Sequence, residues 1–152
     1  MNDCTIREAS LADAPAVADL LGQMGYPVLP GEMERRMQAL ISHPDYILLV
    51  AEMSGRVIGL AGAYMGRSLE LSGKYGRLTG LAVHEEWRGR GVGKALAAQI
   101  ENRLRDLGAA LAVVVSATDR IHAHRFYRRL GYRESGVQFV KRLDRARARH
   151  ES

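Results

Sequence analysis

Hydrophobic residues recur at helical spacing in two segments near the start of the chain. The first stripe consists of Ala14, Val17, Leu20, Leu21 and Met24, and the second of Met33, Met37, Leu40 and Ile41. Intervals of three and four residues predict two amphipathic helices. Ser10 and Asp13 stand in the positions of a capping box before the first helix, and residues 5–8 are a candidate strand. Pro30 is expected to break the chain between the helices, and Pro44 to follow the end of the second.

The hydrophobic pattern then changes to short β-rich runs. Tyr46–Met53 and residues 57–65 flank a Ser54-Gly55 turn, which predicts a β-hairpin. A further strand is predicted at residues 77–83. Residues 111–116 are almost continuously apolar, which is typical of a strand covered on both faces.

The clearest helix is predicted over residues 91–107. Its apolar stripe consists of Val92, Leu96, Ile100, Leu104 and Leu107. Another helix is expected over residues 120–130 and a last strand over residues 137–143. The order β-α-α-β-β-β-α-β-α-β indicates an α+β or mixed α/β fold. The crossover helix makes the strands at 77–83 and 111–116 parallel neighbours or near neighbours.

Length and composition restrict the class of protein. A chain of 152 residues predicts one domain over residues 1–152, with residues 144–152 as a frayed basic tail. Hydrophobic residues make up 47% of the chain and charged residues 26%, as in ordinary globular proteins. No apolar stretch approaches the roughly 18 residues that span a membrane. Residues 1–10 lack the apolar core of an export signal, so a cytoplasmic protein is expected. The single cysteine, Cys4, excludes an internal disulfide framework and a cysteine-based metal cluster.

The net charge of +5 is unevenly distributed. Residues 120–149 carry ten Lys or Arg and two acids, a charge of +8, and the remainder carries −3. A solvated helix face with a frayed tail, a nucleic-acid site and a site for a polyanionic small molecule are each compatible with this pattern. The charge alone favours the first interpretation. The lack of interleaved aromatic residues among residues 140–150 argues against nucleic acid.

The most informative segment is residues 88–94, RGRGVGK, between a predicted strand and the clearest helix. Glycines let the unpaired amides of a first helical turn approach an anion, and arginine forks suit phosphate oxygens. The segment therefore predicts a cradle for phosphate or pyrophosphate. It is not a P-loop, which needs glycine where Arg88 stands and Ser or Thr where Ala95 stands, and it does not complete G-x-G-x-x-G. It does satisfy [QR]-x-x-G-x-[GA] through Arg88, Gly91 and Gly93.

Two longer segments carry a resemblance to known proteins. Residues 81–96, LAVHEEWRGRGVGKAL, and residues 113–135, VVVSATDRIHAHRFYRRLGYRES, are similar to the two hallmark motifs of the GNAT superfamily of acetyl-CoA-dependent N-acetyltransferases. The resemblance implies a mixed, mostly antiparallel sheet flanked by about four helices. It also implies that the sheet is splayed between the two parallel strands, with the co-substrate acetyl-CoA lying in the gap.

The same resemblance implies roles for individual residues. Backbone groups of residues 81–83 would pair with the pantetheine, with the amide of Val83 as a candidate oxyanion donor, and amides of residues 88–94 would bind the pyrophosphate. Tyr127 would be the general acid that protonates the CoA thiolate after direct attack by a primary amine in a ternary complex. The implied cofactor-binding residues are Leu81, Ala82, Val83, Arg88, Gly89, Arg90, Gly91, Val92, Gly93, Lys94 and Arg120. No metal is expected, because His122 and His124 lie on different faces of a helix.

The sequence departs from the family pattern in two places. Many relatives place a carboxylate on the central strand, but the stretch from Lys74 to Val83 contains no acid. No general base is therefore assigned, and a water chain would serve. The nearest titratable groups are Glu70, His84, Glu85 and Glu86; His84 is expected to be an exposed loop residue. Arg120 stands where relatives often carry Asn, with Ser116 or Thr118 as alternative cofactor contacts.

Acceptor choice is expected to lie in the N-terminal helices and in the loops at residues 24–32 and 67–76. Candidate pocket residues, for which core packing is the preferred interpretation, are Met24, Tyr26, Met33, Met37, Tyr64 and Tyr75. Polyamines or aminoglycosides, amino acids, and protein lysines or N-termini all remain open as acceptors. An aminoglycoside pocket would need clustered acids, for which the candidates are Asp45, Glu52 and Glu70. The alternative function is a catalytically silent acyl-CoA-binding or sensor module, and a homodimer is implied by analogy alone.

Overall fold

Five strands and four α-helices are formed by residues 4–115 and 121–144, the residues that the computed structural model describes. The strands are β1 (Cys4–Glu8), β2 (Tyr46–Met53), β3 (Arg56–Arg67), β4 (Lys74–Val83) and β5 (Ala109–Val114). The helices are α1 (Ala14–Gln23), α2 (Pro30–Ile41), α3 (Val92–Asp106) and α4 (Ile121–Arg129). None of the helices in the described ranges is long and apolar enough to cross a bilayer. The chain divides into two compact units, Met1–Val114 and Val115–Ser152.

The first unit contains one sheet with the strand order β1-β2-β3-β4-β5. Neighbouring strands are antiparallel from β1 to β4, and β4 and β5 are parallel. Helix α3 provides the crossover that a parallel pair requires. The predicted hairpin is confirmed: Ser54 (φ 50°) and Gly55 (φ 77°) form a two-residue turn between β2 and β3, with the positive φ values of a type I′ turn. The predicted mixed, mostly antiparallel sheet is therefore confirmed.

Helices cover both faces of this sheet, so the unit has two hydrophobic cores. On one face α3 buries Leu96, Ile100 and Leu104 against strand residues such as Ile58. On the other face α1 and α2 pack against the sheet. Their buried side chains are Val17, Leu20, Met33 and Met37, packed with Val50 and Leu60 of the sheet. Met33 and Met37 are therefore core residues, as preferred from their spacing.

Glycines in the strands allow α3 to lie close to the sheet. A Cβ built on Gly59 would lie 2.9 Å from Leu96 Cδ1, and one built on Gly76 would lie 2.5 Å from both terminal carbons of Leu104. Any side chain at these two positions would push the helix away from the strands. The glycines of β3 and β4 thus determine how deeply α3 packs.

The last strand predicted from the sequence is wrong. Residues 137–143 form no strand, and Val137 and Phe139 are 80% and 93% exposed. Alternating apolar residues favour a strand, but a strand also needs a partner for its backbone hydrogen bonds. The described residues of the second unit, 121–144, contain no other strand that could pair with it.

Other boundaries differ by a few residues from the prediction. Pro30 occupies the first turn of α2 instead of breaking the chain, because a helix start tolerates its missing N–H. The irregular segment predicted at residues 67–76 shortens to residues 68–73, since β3 and β4 extend into it. Leu111 is 42% exposed, so the predicted burial of both faces of β5 is wrong. Residues of β5 join the α3 core only.

An ion pair between the half-buried Arg7 and the buried Asp13 links β1 to the start of α1. Two hydrogen bonds of 2.8 Å run from the guanidinium of Arg7 to the carboxylate of Asp13, which also accepts from the Ser10 amide at 2.8 Å. Arg7 donates to Glu52 of β2 as well, at 3.2 Å. The hydrogen bonds from Arg7 and then from Ser10 outweigh burial and lower the pKa of Asp13. The expected capping box is thus present and tied to the sheet.

Replacing Gly76 with alanine should lower the free energy of unfolding. The added methyl group would overlap the buried Leu104 side chain, and overpacking of this kind costs about 1–3 kcal/mol. The control is Gly22→Ala in α1, where a built Cβ has no neighbour within 4 Å; it should raise stability by about 0.5–1 kcal/mol. Urea unfolding measures both. If Gly76→Ala were as stable as the wild type, α3 would not pack against β4 as closely as the structure shows.

The Arg7–Asp13 pair should make stability depend on pH. The pKa of Asp13 is lowered in the folded state, so its contribution is complete above the unfolded value of about 3.9. It is lost as the pH falls through the lowered folded-state pKa. The gap in unfolding free energy between wild type and Asp13→Asn should therefore shrink on acidification. In an Arg7→Gln background most of this pH dependence should disappear, and its persistence would contradict the assignment.

Candidate active site

The sheet opens between β4 and β5. The parallel pairing runs from Lys74 opposite Ala109 to Leu78 opposite Val114 and goes no further. Thr79 is an extra residue in β4, because Gly62 of β3 pairs with Gly80 while the next residue of β3 pairs with Leu78. Such a bulge bends the strand and increases its twist. Residues 80–83 therefore pair with β3 on one side and have no registered β5 partner among the described residues.

The peptide groups that face this opening follow from strand alternation. The amide of His84 donates to the carbonyl of Ile58 in β3 at 2.8 Å, so every second residue before it also faces β3. The peptide groups of Ala82 thus face β3, and those of Leu81 and Val83 face the opening. The carbonyl of Val83 accepts a hydrogen bond from Arg88 Nε at 3.0 Å. The amide of Val83 and both polar backbone groups of Leu81 are directed towards the gap.

The loop after β4 leads into the N-terminus of α3. Gly89 and Gly91 have φ values of +76° and +87°, and a Cβ built at either position would meet no atom within 4 Å. Gly91 is the N-terminal cap, and the first intrahelical hydrogen bond is donated by Ala95. The preceding amides, of Val92, Gly93 and Lys94, therefore have no partner within the helix. Since the first turn contains no acid, the positive end of the helix dipole is uncompensated.

Arginine side chains surround this helix start. The Arg90 guanidinium stacks on Trp87, 5.0 Å from the ring centroid. Arg88 uses its Nε on Val83, and this bond ties the loop to the end of β4. Arg88, Arg90 and Lys94 are all exposed. Open glycines, free first-turn amides and exposed cations are the arrangement that binds phosphate groups.

The side chain of His84 packs under this loop, where it contacts Arg56 and the Glu86 amide, and does not line the opening. It is buried, at 7% exposure, so the expectation of an exposed loop histidine is wrong. Its Nδ1 faces the Glu86 amide at 3.2 Å and its Nε2 faces Arg56 Nη2 at 3.0 Å. Glu86 lies 3.8 Å from Arg56, and the Glu85 amide donates to Gln23 of α1 at 3.0 Å. These groups hold the loop against β3 and α1.

A group of polar and aromatic side chains lies on the face of the sheet that packs against α1 and α2, outside the hydrophobic core that these helices cover. We call it the tyrosine face; its members are Tyr46, Tyr64, Tyr75, Arg77 and Thr79. Tyr46 lies across Gly62 and its hydroxyl is hydrogen-bonded to that of Thr79. The ring of Tyr75 lies over Gly66. A pocket of about 320 Å³ adjoins Tyr46 and Tyr64; it is lined also by Ala39, Leu40, His43, Asp45 and Met65.

The second unit contains the predicted acid, Tyr127, on α4. Tyr127 is half-buried and packs edge-to-face with Phe126 and Tyr132, at ring-centroid distances of 5.3 and 5.9 Å. The helix ends in a left-handed glycine, Gly131 (φ +97°), as predicted. The other cofactor contacts considered for this segment, Ser116, Thr118 and Arg120, lie outside the described residues. In residues 4–115 and 121–144, no group of three or more His, Cys, Asp or Glu side chains is arranged to hold a metal ion.

The comparison with known families agrees with this geometry. The sequence profile described as the acetyltransferase (GNAT) family matches residues 14–132, most of the chain. The chain belongs to the GNAT family of acetyltransferases. The family assignment made from residues 81–96 and 113–135 is confirmed.

Individual relatives of this GNAT protein are also acetyltransferases. An aminoalkylphosphonate N-acetyltransferase of Salmonella typhimurium is 29% identical over 145 residues, which cover 92% of each chain. An aminoglycoside N(6')-acetyltransferase type 1 of Stenotrophomonas maltophilia is 30% identical over 135 residues, covering 86% of this chain and 87% of that one. Among solved structures, a GNAT family acetyltransferase of Staphylococcus aureus has a TM-score of 0.79 at 25% identity, covering 93% and 99%. The GNAT protein is an acetyl-CoA-dependent acyltransferase of the N-acetyltransferase type.

Sequence reasoning found the loop of this GNAT enzyme but missed part of the tyrosine face. Tyr64 and Tyr75 were pocket candidates, whereas Tyr46, Arg77 and Thr79 were not singled out. A signal was present, because Tyr75, Arg77 and Thr79 occupy alternate positions of a strand and must share a face until the bulge. The bulge itself, which brings Thr79 to the point where β4 leaves β5, is not visible in the sequence.

Proposed function

We propose that this enzyme transfers the acetyl group of acetyl-CoA directly to a primary amine while both substrates are bound. The observation that carries the proposal is the opening of the sheet beside the N-terminus of α3. A thioester with a long, narrow arm and a diphosphate needs a slot lined by backbone donors next to an anion site. The gap after Leu78 and the loop at residues 88–94 provide these two features in one unit.

The proposed cofactor contacts follow the direction of the peptide groups. The backbone groups of Leu81 and Val83 would pair with the amides of the pantetheine. Ala82 lies between them and would hold the strand in place by pairing with Leu60 of β3. First-turn amides of Val92, Gly93 and Lys94 would bind the pyrophosphate, with Gly89 and Gly91 keeping the approach open. Exposed Arg88 and Arg90 would add charge-assisted hydrogen bonds. Arg120, outside the described residues, stays a proposed contact.

The amide of Val83 is the proposed oxyanion donor. It faces the gap at the last residue of β4, and a backbone N–H held rigidly in a strand stabilises charge that develops on a thioester carbonyl. The bond from Arg88 to the carbonyl of the same residue holds the end of the strand in place.

Tyr127 is the proposed general acid. A phenol with an ordinary pKa of about 10 can donate a proton to a leaving thiolate whose conjugate acid has a pKa near 8.5. No side chain is assigned as the base, since β3 and β4 contain no Asp or Glu. A water chain reaching the gap beside the exposed Thr79 would take the proton of the attacking amine.

We propose a primary amine as the acceptor. The relatives from Salmonella typhimurium and Stenotrophomonas maltophilia are both named as N-acetyltransferases, which supports this choice. A catalytically silent acyl-CoA sensor of the same fold is the alternative. It would bind the co-substrate yet release no thiol from it with any amine. A single domain over residues 1–152, a homodimer and a cytoplasmic location stay predictions.

Replacing Gly91 with aspartate should abolish binding of coenzyme A. The variant places a carboxylate at the capping position of α3, where the proposed diphosphate lies, and forces a side chain into a left-handed conformation. Gly55→Asp is the matched control, because Gly55 has a similar φ of +77° in the β2–β3 hairpin, outside the loop at residues 88–94. Calorimetric titration should show a loss for Gly91→Asp alone. Equal affinity of the two variants would contradict the loop assignment.

Tyr127→Phe should lower kcat while leaving the affinity for coenzyme A nearly unchanged. Loss of a general acid reduces turnover by about 10²–10⁴-fold. Thiol release from acetyl-CoA with a panel of amines measures this, and the same panel tests whether the protein is catalytic at all. Tyr132→Phe, which removes another phenol of the second unit, should retain activity. A wild-type rate for Tyr127→Phe would remove Tyr127 from the mechanism.

A further inference from the structure

The tyrosine face continues from the point where β4 leaves β5. Tyr46 and Tyr64 are cross-strand partners, and both line the pocket beside Leu40 of α2. Tyr64 is in turn opposite Arg77 of β4, so their side chains share the α1–α2 side of the sheet. None of the tyrosine-face residues belongs to either hydrophobic core. Thr79 is exposed and the other members are half-buried, so the face has surface that an acceptor approaching the gap can contact.

Arg77 differs from the other partly buried arginines. Among the described residues three arginines are half-buried: Arg7, Arg77 and Arg103. Arg7 is bonded to Asp13, and Arg103 donates to Glu8 at 2.7 Å. Arg77 has no hydrogen-bond or ion-pair partner in the described part of the chain. A guanidinium held in a sheet with unused donors is suited to an incoming anion.

Arg77 is the one charged residue that β3 and β4 contribute to the tyrosine face. Neither strand contains Asp or Glu. Arg67 and Lys74 are cross-strand partners that alternation places on the opposite face of the sheet, and Arg56 lies against His84 and Glu86. A lone cation with no acid beside it on these two strands favours an anionic ligand over a polycationic one.

The acids that a polycationic acceptor would require are dispersed. Asp45 precedes β2 and Glu52 lies near its end, which separates them by roughly 23 Å along an extended strand, and Glu52 is already paired with Arg7. Glu70 is exposed in the loop at residues 68–73. Of these three candidate acids, only Asp45 lines the pocket that adjoins the tyrosine face.

We propose that the acceptor is a small amine that also carries an anionic group, phosphonate, phosphate or carboxylate, and that Arg77 binds this group. The inference rests on the proposed acetyl transfer. Arg77 and Thr79 are two residues apart on the tyrosine face, roughly 7 Å along the strand, so a small molecule can hold its acid on Arg77 and still reach Thr79 with its amine. With its acid on Arg77, such a molecule presents its amine at the bulge, beside the hydroxyls of Thr79 and Tyr46.

Acetylation of matched amines by the full chain tests the proposal. Thiol release is compared for 2-aminoethylphosphonate, 3-aminopropanoate, propylamine and 1,3-diaminopropane. One or both anionic amines should have kcat/KM values about 10- to 100-fold above that of propylamine, as expected for one charged hydrogen-bonded contact. The phosphonate and the carboxylate arms distinguish the two kinds of acid. Methylphosphonate should inhibit propylamine acetylation competitively with the amine and not with acetyl-CoA.

Substitution of Arg77 supplies the second arm of the test. Arg77→Gln should remove the preference for anionic amines and the inhibition by methylphosphonate, while activity on propylamine and affinity for coenzyme A stay unchanged. Arg77→Lys should retain part of the preference. Arg35→Gln, at an exposed position of α2, is the matched control and should behave as wild type.

Each failure has its own signature. Equal or better activity on the neutral or dicationic amine, or a uniform loss of activity in Arg77→Gln, overturns the anionic-acceptor proposal and leaves acetyl transfer intact. Absence of thiol release with every amine overturns direct acetyl transfer itself, and the anionic acceptor with it. If Arg77→Gln does not fold, the wild-type preference and the methylphosphonate inhibition pattern decide the question without it.

Discussion

The parting of β4 from β5 is the constraint on which the rest of the site depends. A parallel pair normally shares an unbroken ladder of hydrogen bonds, and here the ladder stops at Leu78 because Thr79 is inserted in β4. Backbone donors and acceptors that a neighbouring strand would have satisfied are left facing a gap. Those groups then need partners, and a ligand with amide groups of its own can supply them.

The same strand places the other parts of the site. Its end is held to the following loop by the hydrogen bond from Arg88 to Val83, and that loop leads into α3 through two left-handed glycines. Gly59 and Gly76 allow α3 to pack deeply on β3 and β4, so the N-terminus of the helix has a defined position relative to the gap. Packing at the far end of α3, around Leu104, therefore contributes to the geometry at its beginning.

Much of this arrangement could be predicted from local patterns. The stripes of α1, α2 and α3, the hairpin at Ser54-Gly55 and the glycine-arginine loop are each encoded in a few consecutive residues. Features that depend on distant partners could not be predicted. Residues 137–143 have the composition of a strand, yet a strand exists only where a ladder partner is available. His84 looks like an exposed loop residue, and its burial depends on Arg56 from another strand. The isolation of Arg77 is a property of the charges on β3 and β4 taken together, visible only once their register is known.

Trp87 has a consequence of another kind. It is the chain's single tryptophan, and its ring lies against the guanidinium of Arg90, in the loop that we propose binds the pyrophosphate. Light absorbed selectively by indole therefore excites one site in the protein, and the emission reports on that site alone. A ligand that draws Arg90 away from the ring would change the polarity and quenching around it, so the native chain carries its own optical sensor of loop occupancy without any attached dye.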